Sequence, residues 1–312
     1  MTILTIDGVK DTMGVELYAD ELKSTFPNLT VLTGEPMKNH CSFRIGGPAA
    51  LFLEPSSEQD LAALRRFLGE KKIPCVFLGN GTNLLVCDEG PDCAVVHLGE
   101  AFGRVHIEGE TLIADAGVSL AHLASAARDS GLAGLEFAHG IPGSLGGAVM
   151  MNAGAYGGEM KDVVVSVRYM DENGTTAETD APGVAYRKSV FSGSSHVILG
   201  AKLQLKRDAP EAIHARMMEL WAKRSASQPL DKPSAGSFFK RPANGYAAAM
   251  IEGAGLKGRS VGGAQVSEKH AGFLINAGGA TCADVTALME QVQEAVFETY
   301  GTRLEPEVRF LR

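Results

Sequence analysis

Cysteine is scarce and carries no pairing pattern: Cys41, Cys75, Cys87, Cys93 and Cys282 are the only five, and none are spaced C-x-x-C. An odd set without metal-ligand spacing argues against a disulfide framework and against a zinc site, and it fits a reducing compartment. Positive charge is also in short supply, with 29 Lys and Arg against 37 Asp and Glu and a net charge of −8. That balance lacks the broad positive field that nucleic acid or an anionic membrane surface requires, so neither is an expected partner. Local Arg and Lys can still hold a small anion. The sequence has no apolar run of the roughly 18 residues that a membrane-spanning helix needs. The N-terminal MTILTIDGVKDTMG brings an acidic residue early and no long apolar stretch, unlike a signal peptide. A cytoplasmic location is therefore expected, and the sequence leaves the oligomeric state open, with a monomer preferred.

What is present suits an ordered globular protein. Hydrophobic residues make up 45% and charged residues 21% of 312, enough for a large core. At roughly 150 residues per domain, about two domains are expected. Residues 57–70 read as a helix, with Ser57 as cap, Asp60 three residues on, and Leu61, Leu64, Phe67 and Leu68 on one face. Ser119 similarly caps a helix carrying Leu120, Leu123 and Ala127, and Gly131 ends it. Strand-like runs occur at 75–79, 93–98 and 163–170, the last ending at the turn signal Asn173-Gly174. RVHIE and TLIAD form a hairpin about Gly109-Glu110. The pattern is α+β with antiparallel hairpins, not a regular βαβ array.

Composition shifts after residue 206. A helix with Ile213, Met217, Leu220 and Trp221 on one side gives way to the polar KRSASQPLDKPSAG. These features divide the chain into residues 1–206 (with parts at about 35–90 and 91–206), 207–301, and a final strand at 302–312. The third part holds helices near 245–254 and 282–300, the latter opened by Thr281 and Asp284 and stopped by Gly301. In LEPEVRF (304–310), Leu304, Val308 and Phe310 alternate inward and Glu305, Glu307 and Arg309 share the other face.

Glycine, 37 residues, is clustered: IGGPAA (45–50), GNGTN (79–83), GIPGSLGG (140–147), NAGAYGG (152–158), GAGLKG (253–258) and NAGG (276–279). Such clusters mark turns where backbone approaches something closely. GNGTN follows an apolar strand. Gly79 and Gly81 allow positive φ and successive exposed N–H groups, while Thr82 and Asn83 add neutral donors, a cradle suited to a diphosphate. An ordinary strand-to-helix turn has the same look. The dinucleotide fingerprint G-x-G-x-x-G fails because Leu84 holds the third position. The P-loop fails at GAGLKGRS (253–260), where Arg259 replaces the required Lys and a helix, not a strand, precedes.

Taken together, NHCSFRIGGPA (39–49), LGNGTNLLVCDEG (78–90), GLEFAHGIPGSLGGAVMMNAGAYGGE (134–159), AYRKSVF (185–191), PSAGSFFKRP (233–242), AGLKGRSVGGAQVSEKHAGFLIN (254–276) and LEPEVRF (304–310) resemble, in that order, the UDP-N-acetylenolpyruvoylglucosamine reductase family. The resemblance covers residues 35 to 310. It implies a two-part FAD-binding module of the vanillyl-alcohol-oxidase type followed by a C-terminal α+β substrate-binding domain. The short run after Tyr186 resembles the compact subtype without an extra tyrosine-bearing loop. The implied reaction takes a hydride from NADPH to non-covalent FAD and then to the methylene carbon of UDP-N-acetylglucosamine enolpyruvate, giving UDP-N-acetylmuramate for peptidoglycan. A single pocket used in turn by both ligands is the simplest arrangement.

Residue by residue, the resemblance assigns the FAD diphosphate to Gly79, Asn80, Gly81, Thr82 and Asn83, where the family's usual G-G-G-S-N has become G-N-G-T-N. Gly143, Ser144, Gly146 and Gly147 match a second flavin-contacting loop. Ser42, Arg44 and Gly46 match an entry motif in which Cys41 replaces the usual Thr. Arg187 would hold the substrate carboxylate with its planar fork. Ser237 would give a proton to the enolate-like intermediate, and Glu307, if protonated, would stabilise it. Glu305 competes with Glu307 for that place. A weaker set for the UDP diphosphate is Arg224, Lys240, Arg241, Asn244 and Gln265, and Tyr156 is placed near the flavin or nucleotide. No metal ligand is expected. Singly, each of these side chains has a plainer explanation: a surface ion-pair Arg, a solvated Glu on a terminal strand, a Ser that caps a turn. Two other readings remain beside this one. An FAD-dependent oxidase of the same fold is one, although residues 79–84 hold no His for covalent flavin attachment. A non-catalytic nucleotide-binding module is the other.

Overall fold

A computed structural model describes residues 14–180, 183 and 187–312, with the backbone of residues 3–4; Tyr186 and most of MTILTIDGVKDTMG lie outside the described residues. The chain forms two compact units, and they are not consecutive in sequence. The first consists of Met1–Gly34, Ala50–Asn80 and Cys93–Lys223; the second consists of Glu35–Ala49, Gly81–Asp92 and Arg224–Arg312. The linear division expected at residue 206 does not coincide with these units. Two short N-terminal segments belong to the C-terminal unit: 81–92 joins it through long-range backbone pairing, while 35–49 pairs within itself and reaches it through the Ser42 hydroxyl, which donates to the Ser234 carbonyl. Leu84–Val86 runs parallel with Arg309–Leu311, and Glu35–Pro36 pairs antiparallel with Pro48–Ala49. Composition carries no trace of such pairing.

The first unit is built on two five-stranded sheets. In one, Cys75–Leu78 and Leu51–Glu54 lie parallel on either side of Ala94–His97, with Thr30–Leu32 and Ile3–Leu4 antiparallel at the edges. The three parallel strands are near-continuous apolar runs because both their faces are covered. The other sheet is antiparallel, ordered Thr176–Thr179, Val164–Met170, Val197–Gln204, Thr111–Asp115, Val105–Glu108. Its edge strand alternates, Val105 and Ile107 half-buried and His106 and Glu108 exposed. One core serves both sheets. Leu53, Phe77 and Val96 of the first join Leu112, Val167 and Leu203 of the second, along with Leu61, Leu64 and Leu68 of the helix Glu58–Glu70.

Local signals in the sequence act as expected at the helix ends. Ser57 Oγ accepts the Asp60 N–H at 3.1 Å, and Ser119 Oγ accepts that of His122 at 3.2 Å. At the expected turn after Met170 only Gly174 takes positive φ, at 75°. The turn is closed instead by Asp171 Oδ1, which accepts the N–H groups of Asn173 and Thr175 at 2.9 and 2.8 Å. These bonds hold the Asp171 carboxyl below its ordinary pKa. Along Pro210–Ser227, Ile213 and Met217 are buried, but Trp221, expected on the same face, is 40% exposed.

The second unit has a four-stranded antiparallel sheet, Ser234–Ser237, Phe273–Asn276, Ala264–Val266 and Ser260–Val261. The helices Ala247–Gly253 and Cys282–Tyr300 pack with it through Ile251, Leu288, Val292 and Val296. Thr281 and Asp284 form a reciprocal capping box, and Gly301 at φ 65° ends the long helix. The expected strand 304–310 is shorter and later, Arg309–Leu311. Upstream, an isolated antiparallel bridge sets Pro306 against Phe239, made by the Lys240 N–H to the Glu305 carbonyl and the Glu307 N–H to the Phe238 carbonyl. Among the described residues, no helix is long and apolar enough to cross a membrane.

One buried charge ties the first unit together. Arg65, 4% exposed, reaches from its helix to the carbonyls of Asp171 (3.1 Å) and Ser195, with its guanidinium 4.8 Å from the centre of the Phe77 ring. Removing it takes the donor from the Ser195 carbonyl, leaves the Asp171 carbonyl only the Gly174 N–H, and opens a hole beside Phe77. Arg65→Ala should therefore lower unfolding free energy by about 3 kcal/mol, measured by urea denaturation with an unchanged m value.

Candidate active site

The glycine-rich loop begins where strand Cys75–Leu78 ends. The N–H groups of Gly79, Asn80, Gly81, Thr82 and Asn83 donate to no protein acceptor among the described residues. A run of free amides on consecutive residues is the donor set that a diphosphate needs. The two glycines serve it differently. Gly81 takes φ 59°, and a Cβ there would stand 2.1 Å from the His40 carbonyl oxygen. Gly79, expected to supply positive φ as well, does not. It is required by contact: a Cβ would lie 2.2 Å from Ser144 Oγ. The Asn80 side chain is exposed, and Thr82 and Asn83 are half-buried.

Ser144 therefore lies against the start of the first loop, within the same unit. It is 3% exposed, stands ahead of the helix Leu145–Met151, and its hydroxyl caps nothing. Ser144 Oγ has no protein partner among the described residues. The Leu145 and Gly146 N–H groups are already engaged, donating to the carbonyls of Val118 and Ala116 at 2.8 and 2.9 Å. Gly143 needs its glycine for φ 142°, and Gly146 for packing, since a Cβ would meet Ala116 Cβ at 2.9 Å; Gly147 faces no such limit. The Ser144 hydroxyl and the free amides of Gly79 and Asn80, all within the first unit, suit a phosphate group of a dinucleotide cofactor.

Arg187 is half-buried at φ 55°. Its positive charge helps hold the Glu159 carboxyl below its ordinary pKa, behind the larger effects of hydrogen bonds from Lys161 and Asn152. Tyr156 is 46% exposed at φ 53°, in the same unit.

In the second unit the entry motif braces the loop. Ser42 N–H donates to the Gly81 carbonyl at 3.2 Å, and Ser42 Oγ donates to the Ser234 carbonyl at 2.7 Å. Ser234 opens the strand that ends at Ser237. Gly46, at φ 140°, lies where a Cβ would meet Val86 Cβ at 2.7 Å, so it fits the strand beyond the loop. Arg44 is exposed at φ 54°. Cys41 turns inward: its Sγ–H donates to the Ile45 carbonyl at 3.1 Å, and burial raises its pKa.

Ser237 is exposed, preceded by Gly236 at φ 79°. Glu307 is its neighbour across the backbone, because Glu307 N–H donates to the Phe238 carbonyl at 2.8 Å. Glu305 is different. It is 72% exposed and ion-paired with Lys240 Nζ at 2.9 Å, which holds its carboxyl below the ordinary range. Lys240 is thereby engaged within the protein. Others of the weaker set are engaged too. The Arg241 guanidinium stacks 4.0 Å from the centre of the Tyr246 ring, Asn244 donates to Thr302 Oγ1 at 2.9 Å, and Gln265 donates to the Gly258 carbonyl at 3.3 Å. Arg224 is half-buried near the end of its helix.

Sequence reasoning missed Asp88. Its two carboxylate oxygens accept the N–H groups of Cys282 and Ala283, at 2.8 and 3.0 Å, and so cap the long helix from the far side of the chain. Asp in the CDEG run was the only signal, and its partners are 194 and 195 residues away. Among the described residues, no cluster of His, Cys, Asp and Glu could hold a metal ion.

Gly79→Ala should empty the loop of flavin, read as lost visible absorbance after purification in excess FAD. Ser144→Ala removes the opposing oxygen, leaving Ser144 Cβ at 3.3 Å from the new methyl carbon. The double variant should regain flavin to the level of Ser144→Ala alone. Equal loss with and without Ser144→Ala would show that the contact is not the cause.

A family model described as UDP-N-acetylenolpyruvoylglucosamine reductase, C-terminal domain, matches residues 228–311, and one described as FAD binding domain matches residues 49–180. UDP-N-acetylenolpyruvoylglucosamine reductase of Caldanaerobacter subterraneus is 47% identical over 298 residues, covering 95% of this chain and 98% of its own. That of Clostridioides difficile is 43% identical over 279 residues, covering 89% and 92%. Among solved structures, UDP-N-acetylenolpyruvylglucosamine reductase from Thermus caldophilus aligns with a TM-score of 0.80 at 34% identity, over 91% of this chain and all of that one.

Proposed function

The chain belongs to the UDP-N-acetylenolpyruvoylglucosamine reductase family, and on that premise we propose which of its residues carry the reduction. The enzyme is a flavin-dependent oxidoreductase that reduces UDP-N-acetylglucosamine enolpyruvate to UDP-N-acetylmuramate in peptidoglycan precursor synthesis. Bound FAD would supply hydride transfer, from NADPH on our reading, to the methylene carbon of the substrate. The free N–H groups of residues 79–83 would hold its diphosphate, with the Ser144 hydroxyl beside Gly79.

The observation that carries the proposal is the backbone bond between Glu307 and Phe238, the residue after Ser237. The Phe238 carbonyl accepts the Glu307 N–H, so a hydroxyl and a carboxyl are presented from adjacent backbone. Hydride addition leaves negative charge on the neighbouring carbon, delocalised into the substrate carboxylate. Ser237 Oγ–H gives its proton to that carbon and recovers one from water. Glu307, in its protonated form, donates a hydrogen bond to the developing enolate. The Arg187 guanidinium holds the carboxylate by a two-point contact. Glu305 has no part in this, because Lys240 keeps it ionised. The five free cysteines favour the reducing cytoplasm as its location.

In Ser237→Ala, NADPH should still bleach the flavin at the wild-type rate, because that half-reaction needs no proton at carbon. Anaerobic reoxidation by the enolpyruvyl substrate should slow by about 10²–10⁴-fold, the usual contribution of a positioned acid. Bleaching that fails while FAD stays bound would remove Ser237 from this role. Glu305→Gln supplies a pH control. Its carboxyl titrates below the ordinary range and stays ionised at neutral pH, so reoxidation should remain within about twofold and its pH profile should not move. A profile displaced by Glu305→Gln would make Glu305 the acid instead.

A further inference from the structure

Asn83 ends the glycine-rich loop, yet its side chain bonds to the last part of the chain. Its Nδ2 donates to the Glu307 carbonyl at 3.2 Å. Its own carbonyl accepts the Arg309 N–H at 3.0 Å. The parallel ladder begins one residue later, with Leu84 opposite Arg309. Upstream of that pair the first strand has already turned into the loop, and no backbone amide of it reaches Glu307. The side-chain amide of Asn83 supplies that missing donor. Both polar groups of the Glu307 main chain are thus held: the carbonyl by the loop, and the N–H by the residue after Ser237.

We infer that Asn83 is a positioning residue for the Glu307 carboxyl group, linking the loop that grips the cofactor diphosphate to the acid that serves the sugar nucleotide. The inference rests on the reading of Glu307 as that acid. The loop's backbone N–H groups are free to face phosphate while the Asn83 side chain faces the other way, so one residue serves both. A loop ordered by cofactor fixes Asn83, and Asn83 fixes the orientation of Glu307. Only an amide can do this. A carboxylate of the same shape sets two oxygens against the Glu307 carbonyl and repels it.

The test uses holoenzyme carrying Asn83→Asp, Asn83→Ala, Glu307→Gln, and the double variant of Asn83→Asp with Glu307→Gln. Flavin affinity is read by titrating stripped enzyme with FAD and following flavin fluorescence. The two half-reactions are read separately by anaerobic stopped flow across pH. In FAD-saturated Asn83→Asp, reoxidation by the enolpyruvyl substrate should slow about tenfold more than flavin reduction by NADPH does, and the pH profile of reoxidation should shift. Asn83→Ala should show the same split to a smaller degree, without the repulsion. The double variant should reoxidise no more slowly than Glu307→Gln alone, because both changes disable one group. Effects that multiply in the double variant would overturn the inference, as would equal slowing of both half-reactions or loss of flavin affinity alone. Normal reoxidation in Glu307→Gln would overturn the acid assignment itself, and the role of Asn83 with it.

Discussion

The peptide of Glu307 is hydrogen-bonded on both sides, and the second unit is organised around that fact. Its N–H goes to Phe238, beside the exposed hydroxyl of Ser237, and its carbonyl takes the amide of Asn83, at the end of the glycine-rich loop. A second route runs in parallel: Gly81 accepts from Ser42 N–H, and the Ser42 hydroxyl donates to Ser234, at the head of the strand that ends at Ser237. Loop residues 81–83 and the segments carrying Ser237 and Glu307, for which we propose the cofactor and the acid roles, are therefore parts of one hydrogen-bonded frame within the second unit. Such preorganisation is what an intermediate bearing transient negative charge demands.

Charge is distributed to match. Lys240 pairs with Glu305, whose carboxyl is held below its ordinary range by that ion pair. The overall negative charge of the chain does not exclude an anionic ligand, because exposed charges beyond about 10 Å are screened and a nearby cation outweighs them. Asp88 adds a structural charge, its carboxylate at the positive end of the helix Cys282–Tyr300, on the segment that follows the loop. The loop thus continues into a strand and a cap that are both fastened to the C-terminal part of the same unit.

Much of this was legible in the sequence where the cause is local. Ser57, Ser119 and the Thr281–Asp284 box announce helix starts because a cap and its amide lie within three residues. The α+β character and the hairpin at Gly109 followed from alternation and turn chemistry. What could not be read depends on distant partners. Nothing around residue 79 says that glycine is needed there because of Ser144 rather than because of φ. Nothing in the composition near 35–49 or 81–92 assigns those segments to the C-terminal unit. Trp221 followed the helical period of Ile213 and Met217, yet period alone does not say how far along a helix its neighbour extends. The grouping of the site residues came from the family's motifs, because Ser237 and Glu307 are 70 residues apart and no local pattern links them.

The most direct measurement of this account is amide hydrogen–deuterium exchange, compared between flavin-free and FAD-loaded enzyme. If the loop and the acid pair form one frame, filling the loop slows exchange at residues 79–83 and also at 237–240 and 305–309. Slowing confined to residues 79–83, with the other two segments unchanged, would contradict it.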